Sequence, residues 1–252
     1  MEKFLGLPPL ASEHGADVDR LILYMHLLMG ALFIGWFAYF VYVLFRFRAS
    51  KNPKASYTGV TSSASSYIEG AVVLAEAVLL VGFALPLWGK IAGKFPAEKD
   101  STVIQVTAEQ FQWNSRYAGP DGVFGKQDPQ YWSAANPMAI VPGDTAAKDD
   151  ITPPLNEIAV PVNKPVIAYI TSKDVIHSFK VNPLRVTQDA IPGMKIPLWF
   201  KPTVEGDFMI NCAQLCGNSH YFMKGTFKVM SQEKFNAWLA EKSKAGGPAS
   251  FE

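Results

Sequence analysis

The chain of 252 residues is long enough for one or two domains and carries a formal net charge of +1. Hydrophobic residues make up 49% of the chain and charged residues only 18%, which favours partial embedding in a membrane. Because no block of basic residues occurs, the sequence does not predict a nucleic-acid-binding protein.

Two apolar stretches near the N-terminus predict membrane-spanning helices. Residues 21–45 include no charged residue and are long enough to cross the hydrocarbon core with some tilt. A signal peptide is the alternative, but no basic n-region precedes this run, which is also too long for an h-region. Residues 67–89 can span as well, although Glu69 and Glu76 are costly in lipid unless they face protein or water.

The loop between the spans predicts their orientation. It contains several basic residues and no acidic one, whereas the N-terminal segment is rich in acidic residues. Because positive loops stay in the cytoplasm, we expect both termini outside. The predicted organisation is a short exported segment (1–20), a helical hairpin (21–95), an exported domain (101–230), and a C-terminal helix and tail (231–252).

Short alternating runs predict an all-β sandwich or barrel for the exported domain. Residues 101–117 have the pattern of one strand, and 126–154 have the composition of a long loop. Further strand-like runs follow at 156–172, 175–181, 196–202, 207–212 and 225–230. Ser231 is a candidate helix cap for a final helix, and the residues after that helix are predicted to be disordered.

The stretch 212–223, CAQLCGNSHYFM, concentrates soft metal ligands. Together with His177 it offers two thiolates, two imidazoles and a thioether, a set suited to copper. The donors are Cys212, Cys216, His220 and Met223.

Three alternatives to a copper site remain open from these residues alone. Cys212 and Cys216 could form a disulfide, although so small a ring strains the bridge. The spacing would also fit one face of a core helix, against which the turn-forming Gly217 and Asn218 argue. Zinc suits two cysteines and two histidines, but zinc would leave Met223 without a role.

The number of ligands favours two copper ions. A mononuclear blue-copper site needs one cysteine, so the second thiolate needs an explanation. If both sulfurs bridge two ions, each ion needs one terminal imidazole, and His177 and His220 are the histidines of the predicted exported domain. Met223 and one backbone carbonyl would then supply weak axial ligands.

These motifs resemble a known family. CAQLCGNSHYFM, DVIHSF and QDAIPG are similar to the CuA domain of subunit II of haem–copper cytochrome c oxidases. Two N-terminal spans followed by a cupredoxin, a Greek-key β-sandwich, match that family's layout. The resemblance implies a dinuclear mixed-valence copper centre with bridging thiolates, terminal imidazoles and axial ligands, held by Cys212, Cys216, His177, His220, Met223 and the Gln214 backbone carbonyl.

The resemblance also implies function, partners and location. Electrons from cytochrome c would pass through this centre to haem in subunit I, which also holds CuB, for O₂ reduction coupled to proton pumping. Subunit III is a further expected partner. The expected location is a bacterial-type inner membrane, with the copper domain on the periplasmic side. Since no CxxCH motif occurs, the donor would be a separate cytochrome c or a cytochrome c domain of another complex.

Two positions depart from the family pattern, and two others match functional positions of the family. Gln214 stands where the family usually has a glutamate that helps to hold magnesium at the interface with subunit I, which puts that ion in question. Phe111 replaces the first tryptophan of the family's electron-uptake segment, so Trp113 is the candidate for that role. Glu69 matches the position of a glutamate at the entrance of a proton channel into subunit I.

Two other functions remain as alternatives. A quinol oxidase subunit II shares the architecture, but that protein lacks copper ligands. A membrane-tethered copper carrier or sensor without an oxidase partner would keep the ligands. The predicted intramembrane carboxylates Glu69 and Glu76 favour a multisubunit complex, because a simple tether gains nothing from them.

Overall fold

The computed structural model describes residues 6–55, 57–59 and 61–245. The chain divides into two compact units, a helical unit and a β-domain. The prediction of two apolar helices followed by an all-β domain is confirmed.

The helical unit contains two long helices, α1 (Gly15–Arg46) and α2 (Ala64–Ala92). Their apolar windows have mean hydropathies of 2.1 and 2.2, and the chain itself buries 0% of either window. Such uncovered apolar surface suits contact with lipid or with other membrane subunits. The helices contain the predicted spans 21–45 and 67–89 and extend beyond them at both ends. Within α2, Leu80–Ala84 forms a π-helical turn.

Within the described residues, nine strands form the β-domain: β1 (Thr102–Glu109), β2 (Gln112–Tyr117), β3 (Glu157–Pro161), β4 (Val166–Ser172), β5 (His177–Val181), β6 (Val186–Ala190), β7 (Ile196–Phe200), β8 (Gly206–Cys212) and β9 (Lys224–Met230). One sheet has the order β2-β1-β4-β7 and the other β3-β9-β8-β5-β6. The β1–β4 and β3–β9 pairs are parallel, and the remaining pairs are antiparallel.

Aromatic side chains from both sheets meet in the core. Trp113 on β2 packs edge-on against Phe179 on β5 with ring centroids 5.5 Å apart, and Phe200 on β7 lies 5.7 Å from Phe227 on β9. All four rings are almost completely buried. These contacts define a two-layer sandwich whose alternate side chains fill the space between the sheets.

Two details of the strand prediction were wrong. Residues 101–117 form the hairpin β1–β2 and not one strand, because the chain turns at Gln110 and Phe111. The Asp174 carboxylate accepts the Gln110 N–H at 2.7 Å at this turn. Strand β6 was also missed, because its sequence VTQDA is largely polar and β6 lies at the edge of its sheet.

A helix and a long loop complete the domain. Helix α3 (Gln232–Ala245) follows Ser231, whose Oγ accepts the Lys234 N–H at 3.3 Å. The predicted disordered tail lies outside the described residues. The loop between β2 and β3 is held by Arg116, whose buried guanidinium donates to the Asp150 carboxylate at 2.9 Å and to the Gly125 carbonyl at 2.9 Å.

Candidate metal centre

The predicted ligands meet at one end of the five-stranded sheet. His177 is the first residue of β5, and Cys212 is the last residue of the neighbouring strand β8. The loop from β8 to β9 carries Cys216 and a short 3₁₀ turn, His220–Phe222. The Cys212 N–H donates to the Met223 carbonyl at 3.2 Å, which closes this loop on itself.

The donor atoms form a connected cluster. The two Sγ atoms of Cys212 and Cys216 lie 3.9 Å apart, and both thiols are free. Nδ1 of His177 lies 3.9 Å from the first sulfur, and Nδ1 of His220 lies 3.5 Å from the second. Sδ of Met223 is 3.8 Å from the Cys216 sulfur. The Gln214 carbonyl oxygen lies 3.1 Å from the Cys212 sulfur.

The set of donors fits copper. Each imidazole presents one nitrogen to one of the two sulfurs, as the ligand count from the sequence requires. Thiolate, imidazole and thioether donors together select a soft or borderline metal. A closed tetrahedral zinc site would need no thioether, yet Met223 is 2% exposed and its sulfur faces the cluster. The alternative of four helix-face core residues is wrong, because these residues lie on a strand end, a loop and a 3₁₀ turn.

Asp174 fixes the orientation of the His177 ring. The Asp174 Oδ1 atom lies 2.8 Å from Nε2 of this fully buried imidazole. A proton on Nε2 is donated to the carboxylate, which leaves the Nδ1 lone pair directed at the sulfurs. Burial raises the pKa of Asp174, but hydrogen bonds from His177 and from the Gln110 and Val175 N–H groups outweigh burial and lower the pKa overall. Asp174 is therefore a carboxylate near neutral pH.

The Cys216 loop is held against the β1–β2 turn. The Gln110 side-chain amide donates to the Cys216 carbonyl at 2.6 Å. Gly217 has a φ of +137°, and a Cβ there would lie 2.8 Å from that amide nitrogen. Glycine is therefore required for this close approach. Burial, then the charge of the Cys212 thiolate, raises the pKa of the Cys216 thiol to about 12, so metal binding must displace its proton near pH 7.

The remaining predicted site residues lie apart from this cluster. Trp113 is 1% exposed and lies inside the sandwich, with its ring centroid 6.3 Å from that of His177. A donor protein cannot contact so buried a ring directly. The Gln214 side chain is exposed, and Glu69 is exposed in the first turns of α2. Their predicted roles in electron uptake, magnesium binding and proton uptake stay predictions.

Two supporting residues were missed by the sequence reasoning. Asp174 stands within the DVIHSF motif, three residues before His177, and this spacing was the available signal. Gln110 has no comparable signal, because only the fold brings the β1–β2 turn beside the Cys216 loop.

A β-sandwich that gathers two free thiols, two imidazoles and a thioether at one end has the donor set of a soft-metal site. Residues 103–230 match the family described as cytochrome c oxidase subunit II, periplasmic domain. This match covers the entire sandwich from β1 to β9 except its first residue.

Full-length relatives extend the similarity over both units. The alternative cytochrome c oxidase subunit 2 of Bradyrhizobium diazoefficiens is 30% identical over 240 residues, covering 95% of this chain and 84% of the relative. The cytochrome c oxidase subunit 2 of Cereibacter sphaeroides is 30% identical over 255 residues, covering 94% and 79%. The crystal structure of the periplasmic domain of subunit II of cytochrome oxidase from Bradyrhizobium japonicum is 28% identical with a TM-score of 0.44, covering 60% of this chain and 99% of that domain.

The chain belongs to the cytochrome c oxidase subunit II family. It is accordingly a subunit of a haem–copper oxidase, an oxidoreductase that contains other subunits. The predicted fold class, a two-helix hairpin followed by a cupredoxin-like domain, is confirmed. The two apolar helices fit membrane insertion, and the match to a family described as a periplasmic domain indicates an outer-side location for the β-domain.

Proposed function

We propose that this chain is the electron-accepting subunit of its oxidase. It takes electrons from cytochrome c at a dinuclear copper centre and passes them to haem in subunit I, where O₂ reduction is coupled to proton pumping. The ligands in this proposal are the five side chains and one backbone carbonyl predicted from the sequence: His177, Cys212, Gln214, Cys216, His220 and Met223.

The observation that carries this proposal is the arrangement of two sulfurs, 3.9 Å apart, with one imidazole nitrogen beside each. A mononuclear centre would leave one of the sulfurs without a role. When bound by these residues, a pair of copper ions would supply one-electron transfer with little structural reorganisation, because the electron would be shared between the two ions.

The chain's own residues provide the rigidity that such a site requires. The strand ends of β5 and β8 place His177 and Cys212, and the Asp174 carboxylate fixes the imidazole. His177, Cys216 and Met223 are nearly or completely buried, which excludes water from their side of the site. Ligands held by packing and hydrogen bonds keep the same geometry in both redox states.

Two further roles extend the proposal beyond the ligands. Trp113 packs near His177, so its ring would transmit electrons from the surface of the β1–β2 hairpin and would not meet the donor directly. Glu69 would collect protons at the start of α2 for the channel into subunit I. A separate cytochrome c, or a cytochrome c domain of another complex, would be the donor.

The first prediction tests the bridging cysteines with Cys216→Ser in the intact oxidase. We expect the purple absorption and the seven-line copper pattern in low-temperature electron spin resonance to disappear, because a hydroxyl is a poor bridging ligand. Ser219→Ala, in the same loop, is the control and should keep both signals. A normal seven-line pattern in Cys216→Ser would contradict the bridging assignment.

The same preparation tests the oxidase partnership. Gentle solubilisation should yield this chain together with haem, because subunit I holds the haem. A copper-loaded chain that consistently purifies without haem would instead support the membrane-tethered carrier or sensor.

A further inference from the structure

A cavity of about 250 Å³ lies between α1 and α2 at the end of the hairpin that leads into the β-domain. It belongs entirely to the helical unit and is distant in sequence from every proposed metal ligand. One side of it is polar, with Asp17, Arg20 and Lys90, and the rest is mainly apolar.

Asp17 holds two cations side by side at this cavity. Its Oδ2 atom lies 2.8 Å from Lys90 Nζ, and its Oδ1 atom lies 3.5 Å from an Arg20 guanidinium nitrogen. The Arg20 side chain is 58% exposed and the Lys90 side chain is 54% exposed, so both keep N–H donors available for another partner. The three groups sum to one positive charge, which complements the single negative charge of a phosphodiester.

The two cations lie at the boundary of the apolar segments. Arg20 directly precedes the uncharged run 21–45, and Lys90 is the first charged residue after Glu76 in α2. In a membrane this boundary coincides with the layer of lipid headgroups, where long basic side chains reach the interface and form charge-assisted hydrogen bonds with phosphate groups. A phosphate bound at this position would therefore belong to a membrane lipid and not to a metabolite in a buried site.

The remaining wall suits an acyl chain. Tyr24 on α1 meets Phe83 on α2 edge-on, with ring centroids 5.3 Å apart, and Leu21, Pro86 and Leu87 complete the apolar lining. A Cβ at Gly82 would meet only a Val78 methyl group at 4.0 Å, so the groove is open there. The π-helical turn Leu80–Ala84 lies beside this opening, and such turns often mark functional sites.

We propose that this cavity binds one anionic glycerophospholipid. Its phosphate pairs with Arg20 and Lys90, and the first part of one acyl chain lies in the groove beside Gly82 and Phe83. The lipid joins the two helices at the headgroup layer, where the chain itself leaves the groove open.

Lipid binding to the intact, gently solubilised oxidase tests this proposal. After delipidation, dioleoyl phosphatidylglycerol is added and bound lipid is counted by native mass spectrometry. We expect one saturable site that the combined changes Arg20→Gln and Lys90→Gln weaken roughly tenfold to thirtyfold, since each basic group near the membrane surface contributes to anionic-lipid affinity. Arg48→Gln with Lys51→Gln, in the loop at the other end of the hairpin, should leave that site unchanged.

A second pair of variants tests the groove without changing charge. Gly82→Leu should fill the opening and abolish the site, whereas Gly70→Leu, in the same helix but outside the cavity lining, should not. The copper resonance signal should be normal in all of these variants, which separates this proposal from that for the metal centre.

Three outcomes would overturn the proposal. One is equal binding of phosphatidylglycerol to the wild type and to the variant with both Arg20→Gln and Lys90→Gln. Another is equal binding of dioleoyl phosphatidylcholine, whose headgroup has no net charge. The third is full displacement of the lipid by equimolar inorganic phosphate, which would identify a free-anion site. Retained binding in Arg20→Lys would support recognition by charge.

Discussion

At the residue scale, the His177 position depends on a residue that binds no metal. The Asp174 carboxylate accepts from His177, from the Gln110 N–H at 2.7 Å and from the Val175 N–H at 2.7 Å. It therefore ties the β1–β2 turn, its own loop and the imidazole together. Carboxylate partners of ligating histidines typically change metal affinity by about ten- to a hundredfold when they are removed.

The second prediction follows for Asp174→Ala. Copper should still bind, but its affinity should fall by about tenfold or more, and the copper hyperfine pattern should change because the imidazole can rotate. Chelator competition and electron spin resonance measure the two effects. Asp189→Ala, an exposed carboxylate on β6, is the control. Unchanged affinity and hyperfine pattern in Asp174→Ala would show that packing alone orients His177.

The clustering of the candidate ligands could be predicted from the sequence, because soft donors are specific to a few residue types. Two cysteines, two histidines and a methionine with soft donors in short spacing have few other uses. Asp174 and Gln110 could not be assigned in this way, because carboxylates and amides occur in many surface roles. Only the register of the folded strands brings them to His177 and to the Cys216 carbonyl.

At the element scale, one carboxylate anchors α3 to the sandwich. The Trp238 indole N–H donates to the Glu157 carboxylate at 2.9 Å, and Lys228 Nζ lies 3.0 Å from the same oxygen. Trp238 also packs edge-on against Tyr117, with ring centroids 5.6 Å apart. Burial raises the pKa of Glu157, but the hydrogen bonds from Trp238 and Lys228 outweigh it and lower the pKa below its ordinary value.

The third prediction concerns the pH dependence of this anchor. Because the pKa of Glu157 is lower in the folded state than in the unfolded state, its carboxylate stabilises the fold. This stabilisation is fully present above the unfolded pKa of about 4.3, and it is lost as the pH falls through the lower folded pKa. Glu157→Gln should therefore reduce the free energy of unfolding near pH 7 and flatten its decline below about pH 4.5. Denaturant unfolding across this range checks the prediction, with Glu241→Gln on the exposed side of α3 as the control. Parallel pH profiles for wild type and Glu157→Gln would contradict it.

Element type was predictable where a pattern persisted over several residues. The apolar runs 21–45 and 67–89 and the strand runs after 156 all correspond to observed helices or strands. The β1–β2 turn lacks the usual glycine or proline signal, and Asp174, distant in sequence, stabilises it. The burial of Ala11 could not be predicted either. Its N–H donates to the Pro183 carbonyl at 2.8 Å, and only the fold brings this residue, distant in sequence, beside it.

At the scale of the whole molecule, the proposed function assigns electron transfer and proton uptake to different units of the chain. The β-domain holds the proposed electron centre, and the helical unit carries Glu69. The sequence predicted this division because hydropathy and ligand motifs occur in separate segments. Glu69 is exposed on α2, and the proposed proton channel would belong to subunit I.

Glu69 provides the last prediction, which separates electron uptake from proton uptake in the intact oxidase. The residue follows the start of α2 at Ala64 by about one turn and a half. Glu69→Ala should slow steady-state O₂ consumption severalfold, while pre-steady-state reduction of the copper centre by cytochrome c keeps its wild-type rate. Glu241→Ala, which removes an exposed carboxylate from α3, should change neither rate.

A rescue variant distinguishes a proton donor from a structural contact. Ser66 lies three residues before Glu69, so the two side chains share one face of the helix. Adding Ser66→Glu to Glu69→Ala should restore part of the turnover, because proton collection needs a carboxylate near the channel and not one fixed geometry. If Glu69 instead made a structural contact, a carboxylate at position 66 would not replace that contact, and the double variant would turn over as slowly as Glu69→Ala. Full activity in Glu69→Ala alone would place proton uptake on another residue and leave the electron-accepting role of the β-domain unaffected.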